Sequence, residues 1–411
     1  MKSLLAELTT AEPIEPRGWF RWMHDQYAGR YGARGDNVYD LAKQQGWGEV
    51  ASNPDAWDFT PDVWVSIINR HAWTVGKVGL TALAMKYWEY LDRVARGAYM
   101  AGVAESQHFP VDMLHWVDAH ISEADFAPEH LCGLACVAAR CNRADIVEKL
   151  LDTNTDLTAT VRRFHSSCEP KSEWDEGLKL LSNRVVDMVL EAALIWENTA
   201  AVAITLNHGA DPNIPLWLVE RSSNEKHCAL SCALAAQYRE IAEMLLQNGA
   251  SPVGTAYSGY NLPLFYALRN GWDDLAEQML AKGATFKMPD NYKCRATGVY
   301  FGVMKAERQW VETTILPLLP LVPTTSKQAF YQGNGQGGGF STFLDAVINY
   351  PDRLKRFEAL GLDTRLSAEE VCNAIHRNAH EGLAYLFLKH GSQVCEKALT
   401  AIREHKPTFG P

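Results

Sequence analysis

The stretch from Leu262 to Ala284 constrains the fold of this chain more than any other part of the sequence. Its apolar residues recur three and four positions apart in two runs, which places each run on one face of a short helix. Asn270-Gly271 separates the two runs, and Gly283 ends the second at a position that favours a left-handed backbone. Such a helix pair, about 23 residues long, cannot bury its apolar face alone, so the pattern predicts neighbouring units of the same kind.

Units of this kind recur along the chain with segments of variable length between them. Gly209, Gly249 and Gly283 are each predicted to end a second helix in the left-handed conformation. Asn154 is predicted to take that role in an earlier unit, because asparagine tolerates the conformation better than most residues. The units are predicted at Gly133–Asp156, Val189–Asn213, Ala229–Pro252, Leu262–Ala284, Thr342–Asp363 and Val371–Val394.

The pattern resembles the ankyrin repeat, whose signature opens with Thr-Pro-Leu-His and closes with a leucine run and Gly-Ala-Asp. The matching residues are Pro263-Leu264, Ala267, Gly271, Leu275, Leu280 and Gly283-Ala284. The resemblance covers about residues 130–395 and implies an all-α fold, an ankyrin-like α-solenoid of helix-turn-helix repeats. It also implies irregular turns, because the family's bracing histidine is missing. Aligned with that histidine are Cys136, Glu191, Ser231, Phe265 and Asn373.

Residues 1–125 differ in composition and are predicted to form a Trp-rich helical N-terminal region, either a cap or decayed repeats. Residues 126–405 are predicted to form the repeat solenoid. A cap is expected because the end repeat of a solenoid needs an outer face that tolerates water. Packing in the core and cap is favoured over a ligand cage for the tryptophans of this region. They are Trp19, Trp22, Trp47, Trp57, Trp64, Trp73, Trp88 and Trp116.

The composition of the chain limits the partners and the cellular location that can be expected. The 411 residues include 49 Asp/Glu and 39 Lys/Arg, and this acidic balance argues against a nucleic-acid partner. It suits a basic protein partner, although mild acidity also promotes solubility. Nine cysteines, an odd number, together with the lack of a secretory signal, predict reduced thiols and a cytoplasmic location. No apolar run approaches the about 18 residues of a membrane span.

Three groups of residues have metal-ligand spacing. The first lies within one predicted helix and consists of Asp112, His115, Asp118 and His120, of which the first three are spaced three residues apart. His376 and His380 form the second, and the pairs Cys132/Cys136 and Cys228/Cys232 form the third. Solvated helix faces and core packing are favoured over metal binding in each case. The glycine run Gly333–Gly339 is predicted to be a mobile loop, since no Gly-Lys-Ser/Thr follows it. The sequence therefore predicts no catalytic, metal or cofactor-binding residue.

The function predicted from these features is non-catalytic binding of another protein through the concave face and inter-repeat loops of the solenoid. Aromatic residues in the loops are the predicted contacts, because aromatics are enriched in protein interfaces. They are Trp217, Tyr257, Tyr260, Tyr292, Phe330 and Tyr331. Packing against the helices is the alternative for each. Two other functions stay open: an immunity-type or inhibitor protein that neutralises a toxin or enzyme, and an effector or enzyme with a catalytic or metal-binding N-terminal region.

Overall fold

A computed structural model describes the fold of most of the chain after residue 60, and about 69% of the described residues are helical. The helical class predicted from the sequence is thereby confirmed. Within the described part, no helix is long and apolar enough to cross a membrane. The described residues are 61–77, 86–104, 112–161, 184–216, 227–254, 262–287, 309–315, 321–322, 328–332, 339–377, 379–390 and 395–404.

The chain divides into two compact units, Met1–Ile214 and Pro215–Pro411. The boundary predicted near residue 125 falls inside the first unit. The described helices of that unit are α1 (Pro61–Lys77), α2 (Arg93–Ala104), α3 (Asp112–His120), α4 (Pro128–Arg140), α5 (Ala144–Leu151), α6 (Val185–Ile195) and α7 (Thr199–Asn207).

Helices α1 and α2 pack against each other at two glycines. A Cβ atom on Gly76 would lie 2.3 Å from the carbonyl oxygen of Tyr99, and one on Gly102 would lie 2.0 Å from that of Trp73. Any side chain at these positions would force the backbones apart. Trp73 and Trp88 are buried, so these two tryptophans serve in packing.

Four of the described helices that follow in the first unit form two pairs, α4 with α5 and α6 with α7. The first helices, α4 and α6, pack together, and so do the second helices, α5 and α7. Asn198, at the turn of the later pair, donates from Nδ2 to the carbonyl oxygen of Ala139 at 2.9 Å. This carbonyl, in the last turn of α4, also accepts from the backbone N–H groups of Cys141 and Asn142, so the Asn198 bond adds a link between the two pairs.

The described residues of the second unit include two hairpins and further helix pairs. Its strands are β1 (Pro215–Leu216), β2 (His227–Cys228), β3 (Ala329–Gln332) and β4 (Gly339–Thr342), with β1 antiparallel to β2 and β3 to β4. Its described helices are α8 (Ala229–Ala235), α9 (Arg239–Gln247), α10 (Leu262–Arg269), α11 (Asp273–Ala281), α12 (Phe343–Val347), α13 (Pro351–Ala359), α14 (Ala368–His376), α15 (His380–His390) and α16 (Cys395–Glu404).

The first helices of successive pairs in the second unit pack in chain order, α8 on α10, α10 on α12 and α12 on α14. The bond made by Asn198 in the first unit recurs here with two other donors. Asn270 Nδ2 donates to the Leu234 carbonyl, and Arg353 Nη2 to the Leu268 carbonyl, both at 2.6 Å. Each bond ties one pair to the last turn of the preceding first helix.

The left-handed residues follow the predicted pattern with one exception. Gly209, Gly249 and Gly283 have φ values of 84°, 89° and 102°, which confirms their predicted role. Asn154 is not among the positive-φ residues, so that prediction was wrong. In the same helix pair, Asn142 at the turn between α4 and α5 has φ 58° instead.

The turn between α8 and α9 offers a test of backbone strain. Gln237 has φ 65° and an exposed side chain. This conformation is unfavourable for an L-residue, because its Cβ lies too close to the following carbonyl oxygen. We expect Gln237→Gly to raise the free energy of unfolding by about 0.5–1 kcal/mol, net of the added freedom of the unfolded chain. The urea midpoint of the second unit measures the change. Gln237→Ala keeps the Cβ and should give no gain, so equal effects of the two variants would count against strain at this turn.

Candidate functional site

Of the six aromatic residues predicted to contact a partner, the structure describes the side chain of one, Phe330. Trp217, Tyr257, Tyr260 and Tyr292 lie outside the described residues, and so does the side chain of Tyr331, which belongs to β3. Phe330, also in β3, is 4% exposed. Of the two interpretations for Phe330, packing against the helices therefore describes its position, and it is not an accessible contact residue.

Phe330 anchors the hairpin β3–β4 on the helices that flank it. Its ring stacks on Phe265 of α10 with centroids 4.5 Å apart, and its edge meets Phe343 of α12 at 4.9 Å. Strand β4 runs directly into α12, because its last residue, Thr342, is the N-cap of that helix. The segment predicted to be a loop thus has ordered strands at its two ends, and residues 333–338 lie outside the described part.

Two buried capping boxes meet beside the base of this hairpin and form a site that we call the carboxylate cluster. It consists of Thr342, Asp345, Ser367, Glu370 and Asn373. Thr342 and Asp345 make the capping box of α12, and Ser367 and Glu370 make that of α14. All five side chains are buried, Ser367 and Glu370 completely. In each box a hydroxyl accepts from the third helical N–H, and the acid side chain accepts from the cap N–H.

Hydrogen bonds join the two boxes across about 28 positions of sequence. The Thr342 hydroxyl donates to Glu370 Oε1 at 2.5 Å, and Asn373 Nδ2 donates to Asp345 Oδ2 at 3.1 Å. Asp345 Oδ2 also accepts from the backbone N–H of Thr342, the last residue of β4, at 2.8 Å. The cluster therefore holds the end of β4 against both first helices.

The cluster brings two carboxyl groups into one buried environment. Burial, and next the negative charge of Glu370, raises the pKa of Asp345 to about 7. Arg377 opposes this shift, but its guanidinium donates to Ser341 Oγ and to the backbone carbonyl of Asp345, both at 3.1 Å. Among the described residues, Asp345 Oδ1 has no hydrogen-bond partner. Asp345 can therefore keep a proton at mildly acidic pH, where an ordinary aspartate has lost it.

Sequence reasoning missed the carboxylate cluster because it did not identify the two capping boxes. The unit predicted at Thr342–Asp363 does begin at the cap of α12, whereas the unit predicted at Val371–Val394 begins after the cap of α14 at Ser367. Glu191 and Asn373, aligned with the family's histidine, lie in the middle of α6 and α14 rather than in their first turns. The third helical positions of α12 and α14 hold Asp345 and Glu370 instead. The patterns Thr-x-x-Asp and Ser-x-x-Glu before apolar runs are the local signals that identify both starts.

Two of the four predicted metal candidates in α3, Asp118 and His120, are engaged in other contacts, and His115 is exposed. Asp118 forms ion pairs with Lys149 and, at 3.7 Å, with Arg143. His120 stacks on Trp116, with centroids 4.7 Å apart, and its Nδ1 lies 2.7 Å from the Trp116 carbonyl. The side chains of Asp112 and His376 lie outside the described part. Nowhere in that part do three or more His, Cys, Asp or Glu side chains come together as a metal site.

The two cysteine pairs have packing roles. Cys132 and Cys136 are fully buried free thiols whose sulfur atoms face the carbonyls of Val185 and Met188 in α6, at 3.9 and 3.7 Å. The thiol of Cys228 accepts from the Ser231 N–H at 3.4 Å and so caps α8. Small, weakly polar side chains suit these close helix contacts.

Comparison with known proteins gives no assignment for this chain. No protein-family model matches it, and no curated protein matches it. Arguments about function therefore depend on the chain's own residues.

Proposed function

We propose that this chain is a non-catalytic binding protein, an ankyrin-like α-solenoid that holds another protein through the segments between successive helix pairs. The observation that carries the proposal is the placement of the two hairpins in the second unit. Cys228 of β2 and Thr342 of β4 are the N-caps of α8 and α12. The second strand of each hairpin therefore runs directly into a packed first helix. Loops on a rigid helical base are common binding elements.

The ordered packing of first helices supports the solenoid part of the proposal. A solenoid requires each helix pair to contact its neighbours along the chain, and α8, α10, α12 and α14 do so in that order. The recurring side-chain bonds to last-turn carbonyls repeat the same relationship in both units. The ankyrin-like assignment itself rests on the sequence pattern.

The binding proposal predicts an effect on capture without an effect on folding. We expect Trp217→Ala and Tyr260→Ala to weaken capture of the natural partner while leaving the melting temperature nearly unchanged, because aromatic anchors dominate interface energies. The measurement is a pull-down with the full chain from its native source, read by mass spectrometry. If both variants capture the same proteins as the unaltered chain, these loops are not the contact. A large drop in melting temperature would make the two residues packing residues.

A narrower form of the proposal is an inhibitor or immunity-type protein that acts on a basic toxin or enzyme. The acidic excess that would attract such a target belongs to residues 1–214, which hold 30 Asp/Glu and 19 Lys/Arg, against 19 and 20 in residues 215–411. Stoichiometric binding to the product of an adjacent gene is the outcome expected of this form. If no product of a neighbouring gene binds, the inhibitor or immunity-type proposal is contradicted, whereas the general protein-binding proposal is not.

A further inference from the structure

We propose that Asn248 is a site of spontaneous deamidation in the folded chain, and that the tertiary structure protects Asn270, which stands in the same dipeptide. Asparagine followed by glycine is especially prone to this reaction, because glycine has no side chain to hinder attack by its own backbone nitrogen. The chain contains three such dipeptides, Asn248-Gly249, Asn270-Gly271 and Asn334-Gly335. The third lies outside the described residues.

The reaction needs no enzyme and no co-reactant other than water. The backbone nitrogen of the glycine, after loss of its proton to a base in the solvent, attacks Cγ of the asparagine side chain. The bond between Cγ and Nδ2 breaks, and this nitrogen leaves as ammonia. Water then opens the cyclic imide at either carbonyl, which leaves aspartate or isoaspartate in place of asparagine. Each event takes up one water, releases one ammonia and adds one negative charge at neutral pH.

The two described sites share their local backbone. Asn248 and Asn270 directly follow α9 and α10, and the next residue has positive φ in both cases, 89° at Gly249 and 76° at Gly271. The N–H of each glycine donates to a carbonyl in the last turn of the preceding helix, at 3.4 and 3.1 Å. Because dipeptide and backbone are alike, a large difference in rate between the two sites must come from tertiary contacts.

The side chain of Asn270 is held by the preceding helix pair. Its Nδ2 donates at 2.6 Å to the carbonyl oxygen of Leu234 in α8, and the residue is half-buried. This nitrogen is the leaving group of the reaction, so ring closure at Asn270 must break the bond that ties α10 to α8. The free energy of that bond adds to the barrier and slows the reaction.

The side chain of Asn248 is exposed and bonds to its own helix. Its Nδ2 donates at 2.9 Å to the carbonyl oxygen of Met244, one turn earlier in α9. Water can replace an exposed bond of this kind at little cost in free energy, so the amide can turn toward the backbone. Gly249 is exposed as well, which lets a solvent base approach the site.

The two sites also differ in how well the fold accepts the product. The helix dipole disfavours a new carboxylate at the end of a helix. Next to Asn248 this effect is offset by a cation, because Lys282 donates from Nζ to the Leu246 carbonyl in the last turn of α9, at 2.7 Å. A carboxylate at position 270 would face the Leu234 carbonyl, to which it cannot donate. Deamidation at Asn248 is therefore expected to preserve the packing of the helix pairs.

Peptide mass spectrometry of the full chain, incubated in mildly alkaline buffer and then digested, measures the reaction directly. We expect the gain of about 1 Da to appear in the peptide that contains Asn248 at least about fivefold faster than in the peptide that contains Asn270. In concentrated guanidinium chloride the tertiary contacts are lost, and the two rates should agree within about twofold. Equal rates in the folded chain, or a fivefold ratio that persists in denaturant, would overturn the proposal.

Two substitutions that copy the aspartate product test the contacts without waiting for the reaction. Asn248→Asp should keep the melting temperature of the second unit within about 1 °C, whereas Asn270→Asp should lower it by at least about 3 °C. Asn248→Gln is the matched control for mass spectrometry and should show no gain in mass at that position, because its longer side chain closes a ring far more slowly. If Asn270→Asp were as stable as the unaltered chain, the bond to Leu234 would not hold the side chain and the proposed protection would be refuted.

Discussion

Replacement of Phe330 with alanine is expected to destabilise the second unit by about 3–5 kcal/mol. The phenyl ring is buried between Phe265 and Phe343, which are themselves 1% and 4% exposed. Truncation removes the stacked contact and leaves a cavity that two rings on different helices cannot easily fill. Calorimetry of the full chain measures the loss as a lower melting temperature of the transition that belongs to the second unit.

A conservative change at the same site separates packing from recognition. Phe330→Leu keeps much of the buried volume and should cost about half as much or less. Phe330 was one of the six aromatics predicted to contact a partner, so partner capture should be measured alongside stability. If Phe330→Ala left the melting temperature unchanged and abolished capture, the ring would be a contact residue and its packing role would be refuted.

Raising the pH from about 5 to about 8 is expected to destabilise the second unit by roughly 2–4 kcal/mol through Asp345. Burial, followed by the Glu370 charge, raises the pKa of Asp345 in the folded chain to about 7, above its ordinary value of 3.8. Between these two values the folded chain holds a proton that the unfolded chain has lost. Stability from this group is thus full at low pH and falls as pH rises through the window. At pH values above about 7 the contribution of Asp345 to stability changes little.

Asp345→Asn provides the direct test of this pH dependence. The amide oxygen can still accept from Thr342 N–H and from Asn373, and the side chain no longer ionises. Urea unfolding between pH 5 and 8 should show a much flatter stability profile for this variant. Asp352→Asn, at a fully exposed carboxylate, is the matched control and should retain the slope. A slope that persists in Asp345→Asn would assign the titration to another group.

Ionisation of Asp345 is also expected to weaken the attachment of strand β4. Asp345 accepts from the last residue of β4, and Arg377 binds both the Asp345 carbonyl and Ser341 in that strand. Ionisation of Asp345 beside Glu370 places a second negative charge in a buried site, where it is poorly solvated. The protection factors of the β4 amides, which remove the intrinsic pH dependence of exchange, should therefore fall along with the loss of stability.

The local sequence pattern was sufficient to predict the helix pairs and the glycines at their turns. Leu264, Ala267 and Leu268 are all fully buried in α10, as their spacing predicts, and Gly271 and Gly283 have positive φ on either side of α11. These features depend on residues within one or two turns of each other, so the sequence displays them directly. Asn154 shows the limit of this pattern, because it follows α5 without the positive φ that glycine has after α7, α9 and α11.

The site depended on contacts that no local pattern reveals. The sequence by itself determined the helical class, the pairing of short helices and the glycines that end them, because periodicity and backbone conformation are set by neighbouring residues. Only the tertiary structure decided that Phe330 is interior and that Asp345 and Glu370 share a buried environment, because these contacts join residues tens of positions apart. Which side chains meet there follows from how successive helix pairs pack, and packing is a property of the assembled chain.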